Sequence, residues 1–214
     1  MNPAQIVALA SGSGSNVQAI IDKAGTALPI QVAAVICNKP SAAVLDRARL
    51  AGIPAHLITH RDAGNRGAFD AQMMAAIDTY KPDLVVLAGF MRILTSAFVH
   101  HYAGRLINIH PSLLPKYPGL HTHARALDNG DSEHGASVHF VTDGVDEGPL
   151  ILQGRVPVLP GDDEDALAAR VLTMEHRLLP QCILWFAQRR LHLVNDAVLL
   201  DGKPALANAT LSDF

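Results

Sequence analysis

Two side chains separated by one residue carry the sharpest chemical signal in the sequence: Asn108 and His110, in Asn108-Ile109-His110-Pro111-Ser112-Leu113-Leu114-Pro115. On an extended backbone the two-residue period sends both to one face. An amide donor beside an imidazole can stabilise an oxyanion and exchange a proton. A lone histidine at a strand end is also what a hydrogen-bonded structural residue looks like. Pro111, Pro115 and Pro118 deny the segment helical continuation. Downstream, the turn Asp143-Gly144-Val145-Asp146-Glu147-Gly148 offers three carboxylates, any of which could hold the imidazole and favour its protonated form. Spacing does not choose among Asp143, Asp146 and Glu147, and turn acids are commonly only solvated.

A second constellation is Ser11-Gly12-Ser13-Gly14-Ser15-Asn16. Glycines let the backbone approach a ligand, and a following helix offers amide groups and a positive dipole end, so a terminal phosphate is the expected guest. Ser15 with Gln18 matches a capping box. A dinucleotide fingerprint needs a third glycine at position 17 and an acid after the second strand, where this chain has Val17 and Asn38-Lys39. That argues against a nicotinamide cofactor; a tight turn with a capped helix and no ligand has the same composition. His121, His123 and His134 lack the cysteine or HExxH companions of a zinc site, so no metal is expected. No serine or cysteine is placed as a covalent carrier.

These residues need elements to hold them. Short apolar runs at Ile6 to Ala10, Val32 to Ile36, Leu84 to Ala88 and Leu106 to Ile109 read as buried strands. Helical stretches at Val17 to Lys23, Ala42 to Ala51 and Phe69 to Tyr80 alternate with them, the order of βαβ units. The expected class is α/β: a doubly wound, mostly parallel sheet with a Rossmann-like N-terminal half. After Pro118, Ala136 to Val141 and Leu150 to Val158 read as strands joined only by a turn, an antiparallel extension. A long helix is predicted from Asp162 to about Arg190, with acids at its start and a kink at Pro180. Beyond Leu191 an Asp201-Gly202 turn suggests a short hairpin running into an exposed end.

With 214 residues and 49% hydrophobic content, one domain spanning 1–214 is expected, its phosphate-binding half ending near 118, its second half near 190 and a tail following. A net charge of -3 with scattered basic residues points away from nucleic acid. Cys37 and Cys182 form no framework, which favours the cytoplasm, and no stretch reads as a signal peptide or membrane span.

Taken together, Gly12-Ser13-Gly14-Ser15-Asn16, Ala88-Gly89-Phe90-Met91-Arg92-Ile93-Leu94, the 108–115 stretch and Asp143 to Gly148 resemble the folate-dependent phosphoribosylglycinamide formyltransferases, or glycinamide ribonucleotide transformylases, of purine biosynthesis. The resemblance runs from about Ile6 to Phe186, and its most specific mark is NIHPSLLP followed by Lys116-Tyr117-Pro118-Gly119. It implies a formyltransferase-type sheet that moves the formyl group of 10-formyltetrahydrofolate to the amine of glycinamide ribonucleotide, with no metal. By position, Gly14, Ser15 and Asn16 correspond to phosphate-binding residues, and Glu175, in Thr173-Met174-Glu175-His176, to an acid contacting the ribose. Arg66, Met91, Arg92, Ile93 and Leu94, with Asn108, Thr142, Asp143 and Asp146, correspond to the folate side. Asn108, His110 and Asp146 correspond to the catalytic trio. The implied partners are small molecules acting on a monomer or homodimer, with neither nucleic acid nor membrane. Ser13 stands where relatives often have Asn, and the tail after Arg190 does not align. Other readings are formyl transfer to a charged transfer RNA or an amino sugar, formyltetrahydrofolate hydrolysis, a non-catalytic folate or nucleotide sensor, and a nucleotide-dependent reductase. The transfer RNA reading and the hydrolysis reading would each be expected to bring a further domain.

Overall fold

Each apolar run becomes a strand in the computed structural model, which describes residues 2–205. Ala4–Ala10 (β1), Ile30–Cys37 (β2), Ala55–Leu57 (β3), Leu84–Leu87 (β4), Leu106–His110 (β5), Glu133–Phe140 (β6) and Leu150–Pro157 (β7) form a seven-stranded sheet in the order β3-β2-β1-β4-β5-β6-β7. β1 pairs in parallel with β2 and β4, β2 with β3, and β4 with β5. β6 and β7 pair antiparallel, which a turn-only connection permits and a parallel pair would not.

By its contacts the chain divides into two compact units, one ending at Asn108 and the other beginning at Ile109. In the first, the chain lays β2 and β3 to one side of β1, then places β4 and β5 on the other. The exits of β1 and β4 are therefore the topological switch point, where open α/β sheets gather their ligands. Ile6 to Ala10 are all buried, the pattern of a strand covered on both faces. The helices are Ser15–Ile21 (α1), Val44–Leu50 (α2), Arg66–Asp78 (α3) and Ser96–His101 (α4). Asn65 caps α3 by accepting from the Ala68 amide at 2.9 Å.

In the second unit, Thr122–Asp128 forms α5 and Glu164–Ala187 forms α6, which packs on β6 and β7. The predicted acidic start is present: Asp163 accepts from the Ala166 amide at 2.8 Å, with Glu164 and Asp165 in the first turn. The helix continues through Pro180 among buried Leu178, Leu179, Cys182 and Ile183. Its buried row Leu167, Val171, Glu175, Leu178 and Cys182 follows the helical repeat, so one acid stands in an otherwise apolar stripe.

The tail hairpin pairs Leu191–Val194 (β8) with Ala197–Leu200 (β9), turning at Asn195 and Asp196, both at positive φ. The Asp201-Gly202 turn then adds Lys203–Pro204 (β10). The expected exposed end lies in 206–214, outside the described residues. Among the described residues, no helix is long and apolar enough to cross a membrane.

Candidate active site

The glycine turn leaves β1 and enters α1 with Gly14 as the N-cap in the left-handed region, φ 72 and ψ 24. The predicted capping box does not form. Because the helix begins at Ser15, that serine falls inside the first turn; the Gln18 side chain instead donates to Asp22 at 2.8 Å and accepts from Arg47 at 3.3 Å. α2 buttresses the turn from behind. The Val44 amide donates to the Gly12 carbonyl at 3.2 Å and Arg47 Nε to the Ser13 carbonyl at 2.7 Å. Two carbonyls are thus drawn toward α2, as a turn that offers its amides to an anion requires. A Cβ at Gly14 would lie 2.5 Å from Val44 Cγ2 and 2.9 Å from its Cα.

At the exit of β4, in the same unit, the segment Ala88 to Leu94 is pinned at its far end. Arg66 Nη2 donates to the Leu94 carbonyl, and the next amide, Thr95, donates to buried Asp70 at 2.6 Å. Met91 and Ile93 are each 60% exposed while Leu94 is buried. Two large apolar side chains held in solvent by a fixed backbone form a platform suited to a flat ring system.

Asn108 is half-buried on β5, two residues before His110, which is buried at the strand's end. Among the three turn acids, Asp143 and Glu147 are exposed, and Asp146 faces the ring: its Oδ2 lies 3.3 Å from His110 Nδ1. Asp146 has a left-handed backbone, φ 57. Gly148 enables this approach, because a Cβ there would collide with the Phe140 carbonyl as the turn folds back. Two partners were not foreseen from sequence. His139, buried on β6, puts Nε2 3.7 Å from Asp146 Oδ1, and the Gly119 amide donates to Asp146 Oδ2 at 2.8 Å. The signal for His139 was a histidine inside an apolar run; Gly119 contributes only backbone and left no signal.

The other ring nitrogen is also engaged. His110 Nε2 donates to the Tyr117 carbonyl at 2.9 Å, since a carbonyl only accepts. Tyr117, at φ 57, is held by its own side chain: its hydroxyl donates to Asp131 at 2.8 Å and accepts from Asn129 at 2.7 Å, and Arg125 lies over its ring at 5.0 Å.

Burial pushes the His110 imidazole below its ordinary range, more strongly than the Tyr117 carbonyl and the Asp146 charge raise it. A neighbouring carboxylate alone would keep the ring charged; desolvation outweighs it. Burial would raise the Asp146 carboxyl, yet His139, the Gly119 amide and the His110 charge hold it low. The pair therefore rests as an anionic carboxylate beside a ring reluctant to charge. Glu175 is buried on α6, Thr142 is half-buried, and among the described residues no group of metal-ligating side chains occurs.

A neighbouring histidine pair makes stability depend on pH. His134, 1% exposed, has Nε2 3.2 Å from His123 Nδ1, and burial, then the charge of His123, lower it to about 4. The unfolded chain protonates that ring near pH 6.5, so it binds the extra proton first. Stability should be complete above about 6.5 and fall by up to about 3 kcal/mol as pH drops toward 4. His123 and His110, shifted the same way, add to this limb. Urea titrations at stepped pH would show it, with a shallower slope in His134→Gln; a pH-independent midpoint would contradict it.

Comparison with known proteins places these residues in context. The family described as Formyl transferase matches residues 4–183. The chain is 58% identical over 199 residues to the phosphoribosylglycinamide formyltransferase of Escherichia coli K12, covering 92% of this chain and 94% of that one. It superposes with TM-score 0.93 and 50% identity on the phosphoribosylglycinamide formyltransferase of Coxiella burnetii solved with CHES, covering 97% and 99% of the two chains. A formyltetrahydrofolate deformylase from Pseudomonas putida is more distant, 25% identical with TM-score 0.83, over 92% of this chain and 70% of that one.

Proposed function

Because this chain belongs to the formyl transferase family, we propose that it transfers the formyl group of 10-formyltetrahydrofolate to the amine of glycinamide ribonucleotide, giving formylglycinamide ribonucleotide and tetrahydrofolate in purine biosynthesis. The observation that carries the mechanism is the His110–Asp146 contact at 3.3 Å. The neutral amine attacks the formyl carbon directly. The Asn108 amide and the His110 imidazole stabilise the oxyanion of the tetrahedral intermediate. The ring does this as the imidazolium: Nδ1–H donates to the Asp146 carboxylate, which offsets the cost of charging it, while Nε2–H leaves the Tyr117 carbonyl for the oxyanion. The C–N bond to folate then breaks, and the proton lost by the attacking nitrogen is delivered to the departing folate nitrogen with Asp146 as the relay. No covalent enzyme intermediate forms.

In this reading Gly14, Ser15 and Asn16 hold the phosphate and Glu175 the ribose. Arg66, Met91, Arg92, Ile93, Leu94, Thr142 and Asp143 serve the folate, with Asn108 and Asp146 shared between folate and chemistry. The platform of Met91 and Ile93 supports the folate assignment. No metal takes part, the partners are the two small substrates, and the protein works as a monomer or homodimer. Buried, unpaired Cys37 and Cys182 suit the reducing cytoplasm, where we place the reaction.

The test is the acceptor. Purified protein with 10-formyltetrahydrofolate, followed by folate absorbance, should release tetrahydrofolate only when glycinamide ribonucleotide is added. Release at the same rate in water alone would replace transfer by hydrolysis.

A further inference from the structure

One buried hydroxyl ties together the exits of three neighbouring strands. Ser11, the first residue after β1, is 3% exposed, and its Oγ donates to Asn38 Oδ1 at 2.6 Å, just past β2. The same oxygen accepts from the Met91 amide at 2.8 Å, past β4, while the Ser11 amide donates to the Gly89 carbonyl at 3.0 Å. Strands β2, β1 and β4 are adjacent in that order. Ser11 therefore opens the glycine turn and also fixes the start of the Met91–Leu94 platform. Its hydroxyl is used as donor and acceptor at once, so neither bond survives its removal.

We propose that Ser11 is a positioning residue that couples the two substrate sites, so that filling the phosphate turn raises affinity for the folate and the reverse. This rests on the assignment of those two segments in the proposed function. The physical route is short. An anion drawn onto the turn orders the chain from Ser11 onward, and an ordered Ser11 Oγ holds the Met91 amide, and with it the platform, in one place. Each ligand spares the next part of the ordering cost, which is positive cooperativity. By linkage the factor must be the same in both directions. The far end of the platform is already fixed by Arg66 and Asp70, so the Ser11 bond governs the end that the turn can reach.

The experiment is a binding cycle: a folate analogue lacking the transferable formyl group is titrated calorimetrically without and with saturating glycinamide ribonucleotide, in wild type and variants. Wild type should bind the analogue at least about fivefold tighter in the presence of the ribonucleotide. In Ser11→Ala the ratio should fall to near one, with the folate KM raised about tenfold and kcat changed far less. Asn38→Ala, which leaves the Met91 bond but frees the hydroxyl's anchor, should give an intermediate ratio. Ser11→Thr, which keeps the hydroxyl, should restore coupling. An unchanged ratio in Ser11→Ala, or a loss in Ser11→Thr as complete as in alanine, would overturn the proposal. So would a wild type that catalyses transfer yet binds the two ligands independently, leaving the function itself intact. Absence of transfer in wild type would instead overturn the function on which this rests.

Discussion

His110→Ala is expected to lower turnover at least about a thousandfold while leaving both substrates bound, because one side chain supplies an oxyanion donor and a proton-exchanging group. Loss of an oxyanion donor alone costs on the order of a hundredfold or more. Folding should survive. The Tyr117 carbonyl that His110 leaves behind keeps only a share of the Ser112 hydroxyl proton, at 3.2 Å against 2.6 Å to the Lys116 carbonyl, so a loss of about 1–3 kcal/mol is expected. Asp146→Asn is the sharper companion. Asparagine tolerates the left-handed backbone at φ 57 and its amide oxygen can still accept from the Gly119 amide, so the change removes the charge and replaces the oxygen that faces His139 by an amide donor. The burial that already lowers His110 would then act without its main opposing charge, and the ring would be harder still to protonate. The rate of Asp146→Asn should fall by a similar order in single-turnover and steady-state assays, with the KM for glycinamide ribonucleotide near wild type. A variant within tenfold of wild type would remove the pair from the chemistry.

The second large effect is at Gly14. Even alanine there meets Val44 at 2.5–2.9 Å in a backbone region that side chains rarely adopt, so either the turn or α2 must shift. Displacements of this size in a positioning element cost on the order of a hundredfold. Gly14→Ala should therefore raise the KM for the phosphorylated amine by about 10- to 100-fold and that for folate far less. Steady-state kinetics with each substrate varied in turn would show it. The reverse pattern would put the phosphate elsewhere. Val44→Ala, which makes room for the new methyl, should recover part of the loss in the double variant.

What sequence could say followed from chemistry that is local. The apolar runs of β1, β2, β4 and β5 were found within about two residues because burial on both faces leaves an unbroken Val, Ile and Leu signature. β3, α4 and α5 were missed: three to seven residues are too few for a period to emerge from polar, histidine-rich surroundings. The glycine turn is legible, but the capping box is not realised because the helix starts one residue earlier than the motif assumes, with Gly14 in place of Ser15 as its cap. The turn acids were visible, yet only folding distinguishes Asp146, drawn inward beneath Gly119, from exposed Asp143 and Glu147. The carbonyl of Tyr117 and the hydroxyl of Ser11 work through bonds that residue type does not announce.

The most direct trial of the central claim is a double-mutant cycle on the rate of formyl transfer, using His110→Ala, Asp146→Asn and the two combined. Groups that act as one unit should give a double variant no slower than the slower single, far from the product of the separate losses. Losses that multiply would show that the ring and the carboxylate serve separate steps, contrary to the mechanism derived from their 3.3 Å contact.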